Sequence, residues 1–169
     1  MCVRPIAIVV LALALCSAVS GPCQGSPPPD RTLKTPLVYH NAEYGFCLVL
    51  PSDWAGFEML SVRWGRNGKN GESGPKIVVR SPRWTEKKPH QDIPILVFTP
   101  EQWRAIENGE FNVSAAPIGP SELGRTEKYV FALPPRFAGF DDAIGVDEVL
   151  QLLKQKSFQA QCSTRQRSD

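Results

Sequence analysis

Histidine is scarce in this chain: only His40 and His90 occur among its 169 residues. They form no H-x-x-x-H pair and stand beside no paired cysteines, so the recurrent zinc-binding spacings are missing. No C-x-x-C occurs, which removes the usual basis for a thioredoxin-like redox role. A G-x-S-x-G elbow is also lacking, and with it the nucleophile signature of the common α/β esterases. Net charge is small, 19 basic against 17 acidic residues. A chain so nearly neutral lacks the field that polyanion binding requires, and nucleic acid is not expected as a partner. There is no internal repeat, and no uncharged apolar run reaches the roughly 20 residues of a permanent transmembrane helix.

What is present begins with a leader. Arg4 supplies a positive start, Ile6 to Leu15 form an apolar stretch, and Ala18 and Ser20 occupy the −3 and −1 places of a cut before Gly21. Signal peptidase selects that order because a short apolar helix enters the membrane and small residues fit the cleavage site. The spacing predicts a cleaved signal over residues 1–20 and a secreted or periplasmic product. The alternative is a lipid anchor, but Cys16 follows Leu15 and Cys23 follows Pro22, both poor fits to a lipoprotein cut. Cleavage leaves 149 residues, enough for one core, with a formal charge of +1 once Arg4 is gone. With 42% hydrophobic and 21% charged residues, the composition is that of an ordinary globular protein.

Cleavage also leaves Cys23, Cys47 and Cys162, an odd number for an oxidising compartment. Cys23 and Cys162 lie near the two ends of the mature chain, and the termini of a domain are often close together. A Cys23–Cys162 bridge with Cys47 as a buried free thiol is one reading. Three unpaired thiols is the other.

Residues 21–36 read as a Pro/Gly/Ser-rich linker, residues 37–160 as a single α+β domain, and residues 161–169 as a polar tail. Strands are expected at 37–40, 46–50, 57–64, 76–81, 93–98, 111–116 and 128–133. The run 46–50 is apolar on both faces and should be central or covered. Between 65 and 75, four glycines and two asparagines predict a long hairpin loop. Thr99, Pro100 and Gln102 make a capping-box start for a helix over 100–108, with Trp103 and Ile106 on its buried face. A second helix over 147–157 carries Val149, Leu150 and Leu153 at helical spacing, with acidic residues at its start and lysines near its end. The pattern predicts an α+β fold, a largely antiparallel sheet of about six strands with two main helices packed on it.

The stretch from Tyr39 through Asn41, Tyr44-Gly45-Phe46, Pro51 and Trp54 resembles the opening hairpin of small exported bacterial proteins similar to the PsbP and Mog1 group. Ser157-Phe158, after the closing amphipathic helix, resembles the helix end of that group. The resemblance implies a sheet covered by helices and a non-enzymatic, binding or assembly-supporting role. Cys47 departs from the small polar residue often found after the phenylalanine.

Candidate chemistry is sparse. Gly71-Glu72-Ser73-Gly74-Pro75 invites comparison with the nucleophile segment of trypsin-like proteases, but neither the histidine context nor the length of a two-barrel enzyme is there. Cys47 with His40 or His90 could act as thiol and base, yet Cys47 lies in the most apolar strand, where a thiol behaves as a small hydrophobe. Asn112-Val113-Ser114 has the form of a glycosylation sequon. The best binding candidate is the polar segment of Arg83, Trp84, Lys87, Lys88 and His90, which sets an aromatic among cations and suits an acidic glycan, lipid headgroup or protein partner. The alternative is a solvated loop with Trp84 folded back on the sheet. No cofactor or metal site is expected. These features predict an exported, non-catalytic domain that binds or supports an envelope or extracellular partner, the alternative being a small extracytoplasmic hydrolase. Mass spectrometry of the purified native protein should find an amino terminus at Gly21; an intact Met1 would refute cleavage.

Overall fold

Sequence alternation decides the layering. In a computed structural model describing residues 35–65, 72–113, 118–137 and 143–162, eight strands and two helices form. They are β1 (Leu37–Asn41), β2 (Phe46–Leu50), β3 (Glu58–Gly65), β4 (Ser73–Arg80), β5 (Ile93–Phe98), α1 (Pro100–Glu107), β6 (Ser121–Arg125), β7 (Val130–Leu133), α2 (Val146–Lys154) and β8 (Phe158–Gln159). All belong to one compact unit, Leu33–Asp169. The expected leader, all but the last two residues of the linker, and most of the tail lie outside the described residues. No described helix is long and apolar enough to cross a membrane.

The fold is α+β and antiparallel, as the strand pattern predicts, but the strands sort into two sheets. One has the order β1-β2-β8 and the other β3-β4-β5-β7-β6. β5 is buried at every position. Ile93, Ile95 and Val97 point to one face, against Phe46, Leu48 and Leu50 of β2, Phe131 of β7, and Val149 and Leu152 of α2. Leu96 and Phe98 point to the other, against Trp64, Trp103 of α1, Val130 and Ala132. The five-stranded sheet is therefore the middle layer, and the small sheet with α2 covers one side. Each such apolar side chain contributes roughly 1.5–3 kcal/mol on burial. Pro94 is tolerated in this interior strand because β7 pairs only with Leu96, Val97 and Phe98, and has ended before Pro94.

Local signals explain several boundaries. The Thr99 hydroxyl accepts from Gln102 N–H at 3.2 Å and the Gln102 carbonyl oxygen accepts from Thr99 N–H at 3.1 Å, so the capping box forms. The backbone N–H of Glu101 itself, and then the Thr99 hydroxyl, hold the Glu101 carboxyl below its ordinary range. The strand expected from residue 128 starts at Val130, because the Thr126 hydroxyl accepts from Lys128 and Tyr129 N–H and holds a tight turn. Residues 111–113 are not a strand; Phe111 instead stacks on the Trp64 ring, centroids 6.3 Å apart. The rest of that expected strand, and the tip of the 65–75 hairpin at 66–71, lie outside the described residues. In α2 the buried residues are Val149 and Leu152, whereas helical spacing picks out Val149, Leu150 and Leu153; the last two are only partly buried.

Cysteine pairing departs from expectation. The bridge is Cys47–Cys162, with a Cα separation of 5.3 Å, so Cys162 does not pair with Cys23 and Cys47 is not a free thiol. Cys23 lies outside the described residues. The cause is topological: β8 returns beside β2 with Phe158 opposite Leu48 and Gln159 opposite Cys47, which carries Cys162 past Cys47. The bridge closes a loop with a sequence separation of 115. Closing a loop of ~100 residues is worth about 4.7 kcal/mol of chain entropy.

Trp64 shows how a glycine is used. It stands opposite Gly74 on the neighbouring strand, and its indole N–H reaches the Val97 carbonyl oxygen at 2.9 Å. A Cβ on Gly74 would lie 2.7 Å from the indole ring. Gly74→Ala should therefore displace Trp64 and cost about 1–3 kcal/mol by overpacking. Urea denaturation followed by tryptophan emission reads both effects, and an unchanged midpoint would contradict the packing account.

Candidate functional site

The segment expected to bind, residues 83–90, leaves β4 and is shaped by short-range hydrogen bonds. Ser81 is buried; its carbonyl accepts from Trp84 N–H at 3.0 Å and its hydroxyl from Arg83 N–H at 3.3 Å. Thr85 and Lys88 then exchange both backbone N–H···O bonds, at 3.2 and 3.1 Å, and the Thr85 hydroxyl accepts a further bond from Lys88 N–H. That closure puts Glu86 and Lys87 at the tip of a tight turn. Beyond it, Ile144 N–H donates to the Pro89 carbonyl at 3.0 Å and Gln91 N–H donates to Ile144 at 2.8 Å, a parallel bridge around His90. The segment is tied at both ends, so it is an ordered projection and not a slack loop.

Side chains complete the arrangement. The Arg80 guanidinium lies 4.0 Å from the centre of the Trp84 ring and pairs with Asp92 at 3.2 Å, which folds half-buried Trp84 back on the end of β4. Arg83 pairs with Glu148 and lies 3.9 Å from Asp53. Glu148 is the meeting point: its carboxylate also accepts from the indole N–H of Trp54 at 2.6 Å. Trp54 is 1% exposed, so this bond satisfies a donor that water does not reach. His90 shares the same corner. A Cβ added to Gly145, whose φ is +85°, would lie 3.1 Å from His90 Nδ1 and 3.7 Å from Glu148 Oε2.

Of the five expected binding residues, Arg83 pairs with Glu148, His90 lies against Gly145 at the start of the same helix, and Trp84 is committed to Arg80. Lys87 and Lys88 remain exposed at and just after the turn tip. Arg80, Trp54 and Glu148 are the residues that sequence reasoning missed. Trp54 and Glu148 are 94 positions apart and Arg83 and Glu148 are 65 apart, so no local pattern links them.

The thiol–histidine pair expected from sequence also comes together in the fold. His40 and Cys47 are register partners across β1 and β2, and His40 Nδ1 lies 2.9 Å from Cys47 Sγ. The ligand atoms of His40, Cys47 and Cys162 all lie within 4.8 Å of one another. Oxidised sulfurs offer no thiolate, so this trio could hold a metal only after reduction. Two surface depressions of about 280 and 160 Å³ contain neither histidine nor cysteine. The larger lies between β2 and the end of α2, the smaller between the β1–β2 turn and β3. Beside the smaller, burial and then the Glu43 hydrogen bond push the Tyr44 phenol up to about 12.

Glu148 separates two interactions for testing. Glu148→Gln keeps an acceptor for Trp54 but loses the charge on a partly exposed pair, a loss of no more than about 1 kcal/mol. Glu148→Ala strands the buried indole and should cost about 1–3 kcal/mol. Equal losses in denaturant titrations would contradict the division. Compared with protein-family models, curated proteins and solved structures, the chain matches none of them.

Proposed function

We propose that this protein is an exported binding domain that supports an acidic envelope or extracellular partner, protein or glycan, through the segment 83–90. The observation that carries the reading is the pre-organised turn itself. Backbone bonds fix Thr85 to Lys88, the bridge to Ile144 fixes the return, and Lys87 and Lys88 stand in solvent with no acidic partner among the described salt bridges. A rigid projection loses little conformational entropy when a partner docks, so two lysines can be used efficiently. Arg83 lies at the base of the same projection, and its charge is partly offset by Glu148 and Asp53. The likeness of the opening hairpin to the PsbP and Mog1 group favours the same non-catalytic role.

Chemistry of the hydrolytic kind would need a free nucleophile beside a base. The residues raised for it are Cys47, whose sulfur is bridged, His40, which contacts that bridged sulfur, and His90, which stands in the bridge to Ile144. The binding reading uses the residues as they stand.

The test is co-sedimentation of the purified protein with the envelope fraction of the producing cells, as a function of salt. Lys87→Glu with Lys88→Glu should weaken retention about five- to tenfold and flatten its salt dependence. The melting temperature should stay within a few degrees, since both side chains are exposed. Retention unchanged by the double reversal would overturn the assignment of this surface.

A further inference from the structure

We propose that the Cys47–Cys162 bridge is a site of thiol–disulfide exchange with a defined polarity: an incoming thiolate attacks Cys162, and Cys47 leaves as a thiolate received by His40. This inference is independent of the binding role assigned to residues 83–90.

The two sulfurs are not equivalent. Cys47 is 2% exposed, in the central strand of the small sheet, whereas Cys162 is half-buried and lies beyond the two-residue β8. An attacking thiolate must approach one sulfur from outside the bridge, and Cys162 is the one solvent reaches. Among the described residues, His40 contacts the other sulfur. The β1–β2 register sets His40 opposite Cys47, and in the oxidised protein the His40 Nδ1–H can donate to Cys47 Sγ at 2.9 Å. His40 itself is exposed, so the contact lies at the surface of the small sheet. A cation or N–H donor beside a departing sulfur stabilises its thiolate, and a better-stabilised leaving group departs faster.

The steps balance with an external dithiol as the named co-reactant. Its first thiolate forms an S–S bond to Cys162 Sγ as the Cys47–Cys162 bond breaks, and the electron pair moves onto Cys47 Sγ. The His40 Nδ1–H, already 2.9 Å from that sulfur, donates a hydrogen bond to the thiolate as it forms. The second thiolate of the reductant then attacks its own sulfur in the mixed disulfide. That releases Cys162 as a thiolate, which takes a proton from water. The bridge gains two electrons and the dithiol becomes a disulfide. Reduction releases the link between β2 and the chain beyond β8, so the state of that segment becomes answerable to the thiol supply.

The experiment uses the full oxidised protein. Brief exposure to reduced glutathione, acid quenching and peptide mapping should place the glutathione adduct on Cys162, with Cys47 as the free thiol. Reduction by dithiothreitol near neutral pH should be about tenfold slower in His40→Ala than in the unaltered protein. His40 is exposed, so that variant should melt close to the parent. Should it fail to fold, the adduct position in the unaltered protein decides alone. Adducts mainly on Cys47, an unchanged rate in a folded His40→Ala, or reduction no faster than global unfolding would each overturn the proposal.

Discussion

A strand that is apolar at every position cannot be left with a wet face, and β5 is such a strand. Ile93 to Phe98 needs cover on both sides, so the five-stranded sheet that contains it becomes a middle layer. α1 is short but carries Trp103 onto one side; β2 and α2 supply the apolar cover on the other. The small sheet exists for this purpose: β2 turns Phe46, Leu48 and Leu50 inward, and β1 and β8 flank it. Phe46, Phe131 and Phe158 then meet with ring centroids 5.2–5.3 Å apart, locking the two sheets face to face.

The surface features are consequences of that closure. Once α2 lies on the inner side, the first turn of the helix brings Glu148 over Trp54, and the carboxylate in turn captures Arg83 at the exit of β4. A buried indole therefore indirectly sets the base of the exposed 83–90 projection. In the same way, the return of β8 beside β2 carries Cys162 to Cys47, while β1 brings His40 to the same sulfur from the other side. One surface thus offers positive charge on a rigid turn, and another offers a polarised disulfide. Both rest on elements that were recruited to cover β5.

Much of the fold was legible because its signals are local. The apolar runs of β2 and β5, the Thr99-Pro100-Gln102 start of α1, and the acidic-to-basic order along α2 all act within a few residues. β6 and β8 were not legible. β6 has charged residues and a bulge between Glu122 and Gly124, as edge strands often do, and β8 is only two residues long and exists because β2 has a free edge. The division of the strands into two sheets was equally hidden, since alternation tells which face is apolar but not which strand lies opposite.

The sequence by itself determined the composition of the core, the class of fold, and the polar segment with Arg83, Trp84, Lys87, Lys88 and His90 as the place where cations gather. Tertiary structure alone decided which of those cations remain free. It placed Arg80 over Trp84 and Glu148 against Arg83, leaving Lys87 and Lys88 in solvent. It also decided that Cys162 joins Cys47 rather than Cys23, because pairing follows distance in the folded chain and β8 supplies that distance. Local chemistry acts along the chain, whereas charge neutralisation and disulfide choice depend on contacts 65 to 115 positions apart.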